Sequence, residues 1–296
     1  MAGFQRQLEE SADRVTVALD ALLPRPDGPE KPLISAMRYA ALGPGKRIRP
    51  FLTLAAGRML GAEERGLLRT GCAIECLHAY SLIHDDLPCM DDDDVRRGRP
   101  TVHIAYDEAT AVLAGDALQT AAFEILTGPE THASSSVRVE LVAGLAKASG
   151  AQGMAGGQMI DMASPTRDND DIGLITRLHR MKTGALISFA VEAGAILSRA
   201  DSDVRLALEG YAHDLGLIYQ IVDDLLDAEG LPDQTGKATG KDAGQGKATF
   251  VTILGVQAAR ERAAHLGEQA KAHLDPFGEG AAILRAAVDF VLDRRV

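Results

Sequence analysis

Six aspartates fall within the ten residues 85–94, in the run His84-Asp85-Asp86-Leu87-Pro88-Cys89-Met90-Asp91-Asp92-Asp93-Asp94. They follow the apolar stretch CAIECLHAYSLI, so they sit at the end of a helix that Pro88 stops. Negative charge there opposes the helix macrodipole. Carboxylates this dense also repel one another, and the ordinary home of such a run is a solvated turn. A second set argues against that bland reading. Gln220, Asp223, Asp224 and Asp227 occupy i, i+3, i+4 and i+7 in LGLIYQIVDDLLDAEG, one stripe of an otherwise apolar helix. Buried carboxylates require cations or strong donors. A hard divalent ion is such a partner, and magnesium characteristically takes a few carboxylates together with substrate phosphates. Two aspartate sets, each unfavourable alone, become reasonable if both face a diphosphate bridged by Mg²⁺.

Basic residues stand close by in sequence. Arg96, Arg97 and Arg99 follow the first set in VRRGRPT, and Lys46, Arg47 and Arg49 lie in GPGKRIRP, a Gly/Pro loop that enters a helix. Backbone N–H groups at such an entrance add to anion binding. Lys182 lies in HRMKTGALISF, and Lys237, Lys241 and Lys247 punctuate the glycine-rich stretch after the second set. Singly, each is an ordinary surface charge. Together they suit two diphosphates, one held through metal and one through direct Arg/Lys contacts.

Helices must position these residues. The apolar periodicity predicts them over roughly Gln5 to Leu22, Lys31 to Leu42, Pro50 to Leu60, Glu63 to Asp86, Asp107 to Thr127, Ser134 to Ser149, Asp170 to Leu197, Asp203 to Asp227, Ala248 to Leu274 and Gly280 to Arg294. Alternating β-branched strands are missing. The breaks PRPDGPEKP, GPGKRIRP, LPCMD and LPDQTGKATGKDAGQGK are short loops, so the 296 residues read as one domain, 1–296. The chain is 46% apolar but 4% aromatic with no Trp, so Ala and Leu carry the core and favour an all-α fold. A formal net charge of −11 argues against nucleic acid or an anionic membrane as partner. Cys72, Cys76 and Cys89 make no disulfide framework, and Cys72 and Cys76 read as small buried hydrophobes. The charged N-terminus lacks a signal-peptide stretch, and the apolar run from Gly184 to Leu197, interrupted by Glu192, is too short to span a bilayer. The expected location is cytoplasmic, with no membrane insertion.

HDDLPCMDDDDVRRGRPT and YQIVDDLLD occur together, with GKRIRP, ECLHAYSLIHDD, DEATAVLAGDALQ, GMAGGQMID, MKTGAL and GKATGKDAGQGKAT in order between Pro32 and Gly255. In these the sequence resembles the trans-polyprenyl diphosphate synthase family, and within it the bacterial farnesyl diphosphate synthases. The resemblance implies a homodimer whose subunit is a single large helical bundle of the isoprenoid synthase type with a central cavity. It implies Asp85, Asp86 and Asp91 as a first DDxxxxD motif and Asp223, Asp224 and Asp227 as a second, both holding an allylic diphosphate through more than one Mg²⁺, with Asp161 of GGQMID joining the first set. Arg96, Lys182, Thr183, Gln220 and Lys237 match allylic-substrate positions, and Lys46, Arg49, His78 and Arg97 match the isopentenyl diphosphate site. Outside that context His78 reads as a core histidine. Pro44 stands where the family often has a second glycine, which bears on how the loop approaches isopentenyl diphosphate. Arg294 and Arg295 are further candidates for reaching the site. Gly153, Gly156 and Gly157 read as close-packing positions.

The implied chemistry is electrophilic alkylation without a nucleophilic side chain: an allylic diphosphate (dimethylallyl or geranyl) ionises, isopentenyl diphosphate attacks, and a proton leaves. Asp85, Asp86, Asp91, Arg96, Lys182, Asp223, Asp224 and Lys237 are the residues expected to act. Tyr80 and Ser81, just before the first motif, would floor the pocket and set product length at farnesyl, although a helical wheel puts Ser81 rather than Tyr80 nearest the face of Asp85. The rival readings are a geranylgeranyl diphosphate synthase, a class I terpene cyclase, which would lack the second motif, and a non-catalytic partner subunit, which should have lost part of one motif.

Overall fold

The computed structural model describes residues 2–163, 171–229 and 249–294. Its elements are almost all helical, and the chain divides into two compact units. The N-terminal unit comprises Ala2–Ala143 and Ile196–Ser198; the C-terminal unit comprises Gly144–Ala195 and the chain from Arg199 onward.

The N-terminal unit is built from α1 (Ala2–Leu22), α2 (Lys31–Ala41), α3 (Ile48–Met59), α4 (Glu64–Asp85), a short α5 (Val102–Ala105), α6 (Glu108–Thr127) and the start of α7 (Ser135–Ser149). Helix α4 is its centre, packed against α1, α2, α3 and α6. Leu67, Ile74 and Leu77 of α4 bury against a core that also holds Leu19, Leu52 and Leu118. Small residues let α4 and α6 approach closely: a Cβ on Gly115 would lie 2.2 Å from the His84 ring. Asp107 fixes the start of α6 by accepting the Thr110 N–H at 2.8 Å, an N-cap.

The C-terminal unit contains α8 (Met154–Ala163), α9 (Ile172–His179), a π-helical turn Arg180–Gly184, α10 (Ala185–Leu197), α11 (Ser202–Glu229) and helices Phe250–Leu254, Val256–His273 and Ala282–Leu292. Helix α11 is the central element here. Tyr211 is fully buried, and its hydroxyl donates to the Leu284 carbonyl at 2.9 Å.

The all-α expectation holds, with differences that have local causes. The pattern from Asp170 to Leu197 reads as one helix, but the π turn divides it. The pattern from Ala248 to Leu274 breaks at Gly255, whose φ of +79° no L-residue adopts cheaply. The last helix is preceded by a 3₁₀ segment, Asp275–Ala281. Helix α8 was hidden in the sequence by the glycines of GMAGGQMID. The β structure among the described residues is a hairpin of two-residue strands, β1 (Val95–Arg96) and β2 (Arg99–Pro100), too short to show alternation. No helix among the described residues is long and apolar enough to cross a membrane.

Candidate functional site

In the N-terminal unit the acidic run folds back onto the end of α4. The Asp91 N–H donates to the Asp85 carbonyl at 2.8 Å, the Met90 and Asp92 N–H groups reach the Leu87 carbonyl at 2.8 and 3.2 Å, and Asp93 reaches Asp86 at 3.3 Å. These bonds satisfy carbonyls that a helix end leaves open, and they return Asp91 to the Asp85 backbone despite the intervening Pro88. Asp86 is buried, and Arg96 Nε and Nη2 lie 2.7 and 2.6 Å from its Oδ1. The hairpin turn delivers that arginine: Arg97 (φ 53°) and Gly98 (φ 74°) both lie in the left-handed region, as a two-residue type I′ turn demands.

Around a small cavity of about 70 Å³ the same unit gathers His78, Asp86, Arg96, Arg97 and Arg99. Desolvation pushes the His78 imidazole well below its usual range, and Arg49, Arg97, Arg96 and Arg47 add to the effect. Arg97 is likewise pushed down by desolvation; Glu75 opposes the shift, and Arg47, Arg96 and Arg49 reinforce it. Cations crowded to this degree favour an incoming anion. Arg47 has a different job. It is buried in an ion pair with Glu75 and donates to the Ala41 and Gly43 carbonyls at 2.8 and 2.6 Å, pinning the loop before α3. The loop's Pro44 carbonyl accepts from Arg97 Nη1 at 2.7 Å. Lys46 is exposed on this loop, and Arg49 follows it with its Nε buried and without a hydrogen-bond partner.

In the C-terminal unit the stripe of α11 is partly buried. Asp224 is buried, and Gln220, Asp223 and Asp227 are half-buried. Asp224 Oδ2 accepts the Phe250 N–H at 2.9 Å and lies 4.0 Å from His179 Nε2. Asp223 pairs with Arg294 at 2.8 Å, and the Arg294 guanidinium lies 4.5 Å above the Tyr219 ring. Lys182 Nζ stands 2.6 Å from Asp161 Oδ2, and Thr183 Oγ1 donates to Gln220 Oε1 at 2.6 Å. The backbone carrying Lys182 comes this close to α8 because a Cβ on Gly157 would lie 2.2 Å from the Lys182 nitrogen. Burial lowers His179 to about 4, so it is neutral at physiological pH, with its ring stacked on Phe250 at 5.4 Å. This unit also holds a cleft of about 760 Å³ whose wall includes Arg177, Arg180 and Arg262 but none of the residues expected to act.

The carboxylate oxygens of both units match a hard divalent cation, and in each unit protein cations already sit on them, Arg96 on Asp86 in one and Lys182 on Asp161 and Arg294 on Asp223 in the other. Among the described residues no three His, Cys, Asp or Glu groups stand close enough to hold a metal ion by themselves.

The polyprenyl synthetase family model matches residues 30–279. The farnesyl diphosphate synthase of Haemophilus influenzae is 43% identical over the whole of both chains. Geranylgeranyl pyrophosphate synthase 4 of Arabidopsis thaliana is 38% identical over 98% of this chain and 78% of its own. The crystal structure of an FPP/GFPP synthase from Zymomonas mobilis superposes with a TM-score of 0.90 at 47% identity, covering 98% of this chain and 99% of that one. The chain belongs to the polyprenyl synthetase family. As a member it is a prenyltransferase, and its all-α architecture is that of the isoprenoid synthases.

Within this prenyltransferase the N-terminal unit brings Asp86, His78, Arg96 and Arg97 to one cavity, with Asp85 and Asp91 at its acidic turn. Tyr80 is half-buried on α4, its ring edge-on to His84 at 5.2 Å, and Ser81 donates to the His78 carbonyl at 2.9 Å. The C-terminal unit brings together Asp161 with Lys182, and Thr183 with Gln220. Lys237, Lys241, Lys247 and Arg295 lie outside the described residues. Sequence reasoning missed His179 and the Glu75–Arg47 pair. A histidine three residues before Lys182 was the available signal for the first; a lone glutamate within an apolar helix was the signal for the second.

Proposed function

We propose that this prenyltransferase condenses isopentenyl diphosphate with dimethylallyl and geranyl diphosphates to give farnesyl diphosphate, as a homodimer of one polyprenyl synthase domain. The observation that carries the reading is the crowding of Arg49, Arg96 and Arg97 about His78 and the cavity beside Asp86, a cationic pocket that an anion relieves. Asp85, Asp86, Asp91 and Asp161, with Asp223, Asp224 and Asp227, serve the allylic diphosphate through Mg²⁺, which when bound neutralises the phosphate charge that develops as the diphosphate leaves. Arg96, Lys182 and Lys237 place protein cations on that leaving group. Thr183 and Gln220 orient one another beside it, a pairing supported by their hydrogen bond. Lys46, Arg49, His78 and Arg97 hold isopentenyl diphosphate, whose double bond attacks the allylic carbon before a proton is lost. Apolar walls keep water from trapping the cation.

Tyr80 supports farnesyl over a longer product, because a ring at that height on α4 would floor the chain's pocket, about 7.5 Å before Asp85 along the axis. The test incubates purified protein with Mg²⁺, isopentenyl diphosphate and each of the C5, C10 and C15 allylic diphosphates. Farnesyl diphosphate should accumulate from the first two, and the Tyr80→Ala variant should shift the product to C20. Absence of any prenyl diphosphate would overturn the reading; an unchanged product length in the variant would overturn the role of Tyr80 alone.

A further inference from the structure

The hairpin that carries Arg96 and Arg97 has two residues in each strand, with Arg97 itself at positive φ. A ribbon this short does not hold its own shape in water, and a non-glycine residue in the left-handed region adds cost. Something outside it must fix the two arginines. Tyr39, in the last turn of α2, meets the hairpin twice. Its hydroxyl donates to the Pro100 carbonyl at 2.8 Å, and its ring lies under the Arg99 guanidinium, 4.0 Å from centroid to Cζ. The Tyr106 ring braces it edge-on at 5.8 Å. On the turn side, the Pro44 carbonyl takes Arg97 Nη1, and a Cβ on Gly45 would come within 2.5 Å of that nitrogen.

We propose that Tyr39 is a positioning residue: with Arg99 it clasps the β1–β2 hairpin so that Arg96 and Arg97 are preset for diphosphate. The inference rests on the site reading above, which gives those arginines their substrates. Removing the hydroxyl loses one hydrogen bond, a loss of about fivefold in affinity; removing the ring also loses the stacked guanidinium, whose contribution is of similar size. Through Arg97 the loss appears in KM for isopentenyl diphosphate, and through Arg96, on the leaving group, a smaller fall in kcat accompanies it.

The experiment titrates inorganic pyrophosphate into wild type, Tyr39→Phe, Tyr39→Ala and Arg99→Lys by calorimetry, with thermal melts on each, and measures KM and kcat for the same set. Expected are pyrophosphate affinities weakened about fivefold for Tyr39→Phe and about thirtyfold for Tyr39→Ala, with KM moving in step. Arg99→Lys keeps the charge but not the planar group, and should weaken binding in the same direction. If Tyr39→Ala fails to fold, the isosteric Tyr39→Phe decides. Unaltered affinity in folded variants, no pyrophosphate binding by wild type, or a fall in kcat with KM unchanged would each overturn the proposal. The titration needs no turnover, so a wild type that binds pyrophosphate yet forms no prenyl diphosphate sinks the functional reading and leaves the clasp to be judged on affinity.

Discussion

The two aspartate sets solve one electrostatic problem by different constructions. The first lies where α4 ends, in a turn that closes on its own helix, and takes its cation from Arg96, ten residues after Asp86. The second is a stripe within an unbroken helix, and its partners come from far along the chain: Arg294 for Asp223 and the Phe250 N–H for Asp224. A locally closed turn can be read almost entirely from neighbouring residues. A stripe on a helix states only that partners must exist.

The comparison can be broken by mutation. Asp86→Ala and Asp223→Ala should each lower kcat by two to three orders of magnitude, the range for removing one preorganised electrostatic group. Steady-state turnover of folded protein checks this, and near-normal rates in either variant would break the symmetry of role between the sets. Glu75→Gln should instead unfold the N-terminal unit more easily, by about 3 kcal/mol, because it leaves Arg47 buried without its counter-ion; denaturant melts read the loss. Acid should act through His179. Its usual value is 6.5 and its folded value is about 4, so between those pH values the unfolded chain takes up a proton that the native chain refuses. Stability therefore falls as pH drops below 6.5, by up to about 3 kcal/mol at full separation. His179→Asn should flatten that part of the wild-type melting profile between pH 6.5 and 4. The smallest effect is expected from Arg294→Ala. A half-exposed pair contributes under about 1 kcal/mol. Freeing Asp223 of its competing guanidinium should therefore lower the Mg²⁺ concentration for half-maximal activity by no more than about fivefold, read from activity against Mg²⁺ concentration.

The same contrast explains what the sequence revealed. Helix periods located α1 to α4, α6, α7 and α11 to within a few residues, because each buries a continuous apolar stripe. The pairing of Arg96 with Asp86 was foreshadowed by adjacency. Arg294 on Asp223 and Thr183 on Gln220 were named as candidates, but their contacts depend on tertiary packing that spacing does not encode. Arg47 was grouped with Lys46 and Arg49 as a phosphate cation, yet its positive φ of 50° turns it inward to Glu75. A periodicity argument has no access to one backbone dihedral.

The π turn at Arg180–Gly184 is a place where the chain's length can change without turning its neighbours. A wide turn of this kind holds one residue more than a regular helix would need, and Gly216 allows it by letting the Gly184 Cα approach to 3.0 Å from where a side chain would begin. Delete a single residue there and the turn can close to a regular one while both flanking helices keep their faces, because the wide turn had absorbed the extra residue. What changes is the turn itself, where Lys182 must keep its place to meet Asp161. Substitutions in this segment change one side chain, whereas a shortened segment changes which residue occupies each place in the turn.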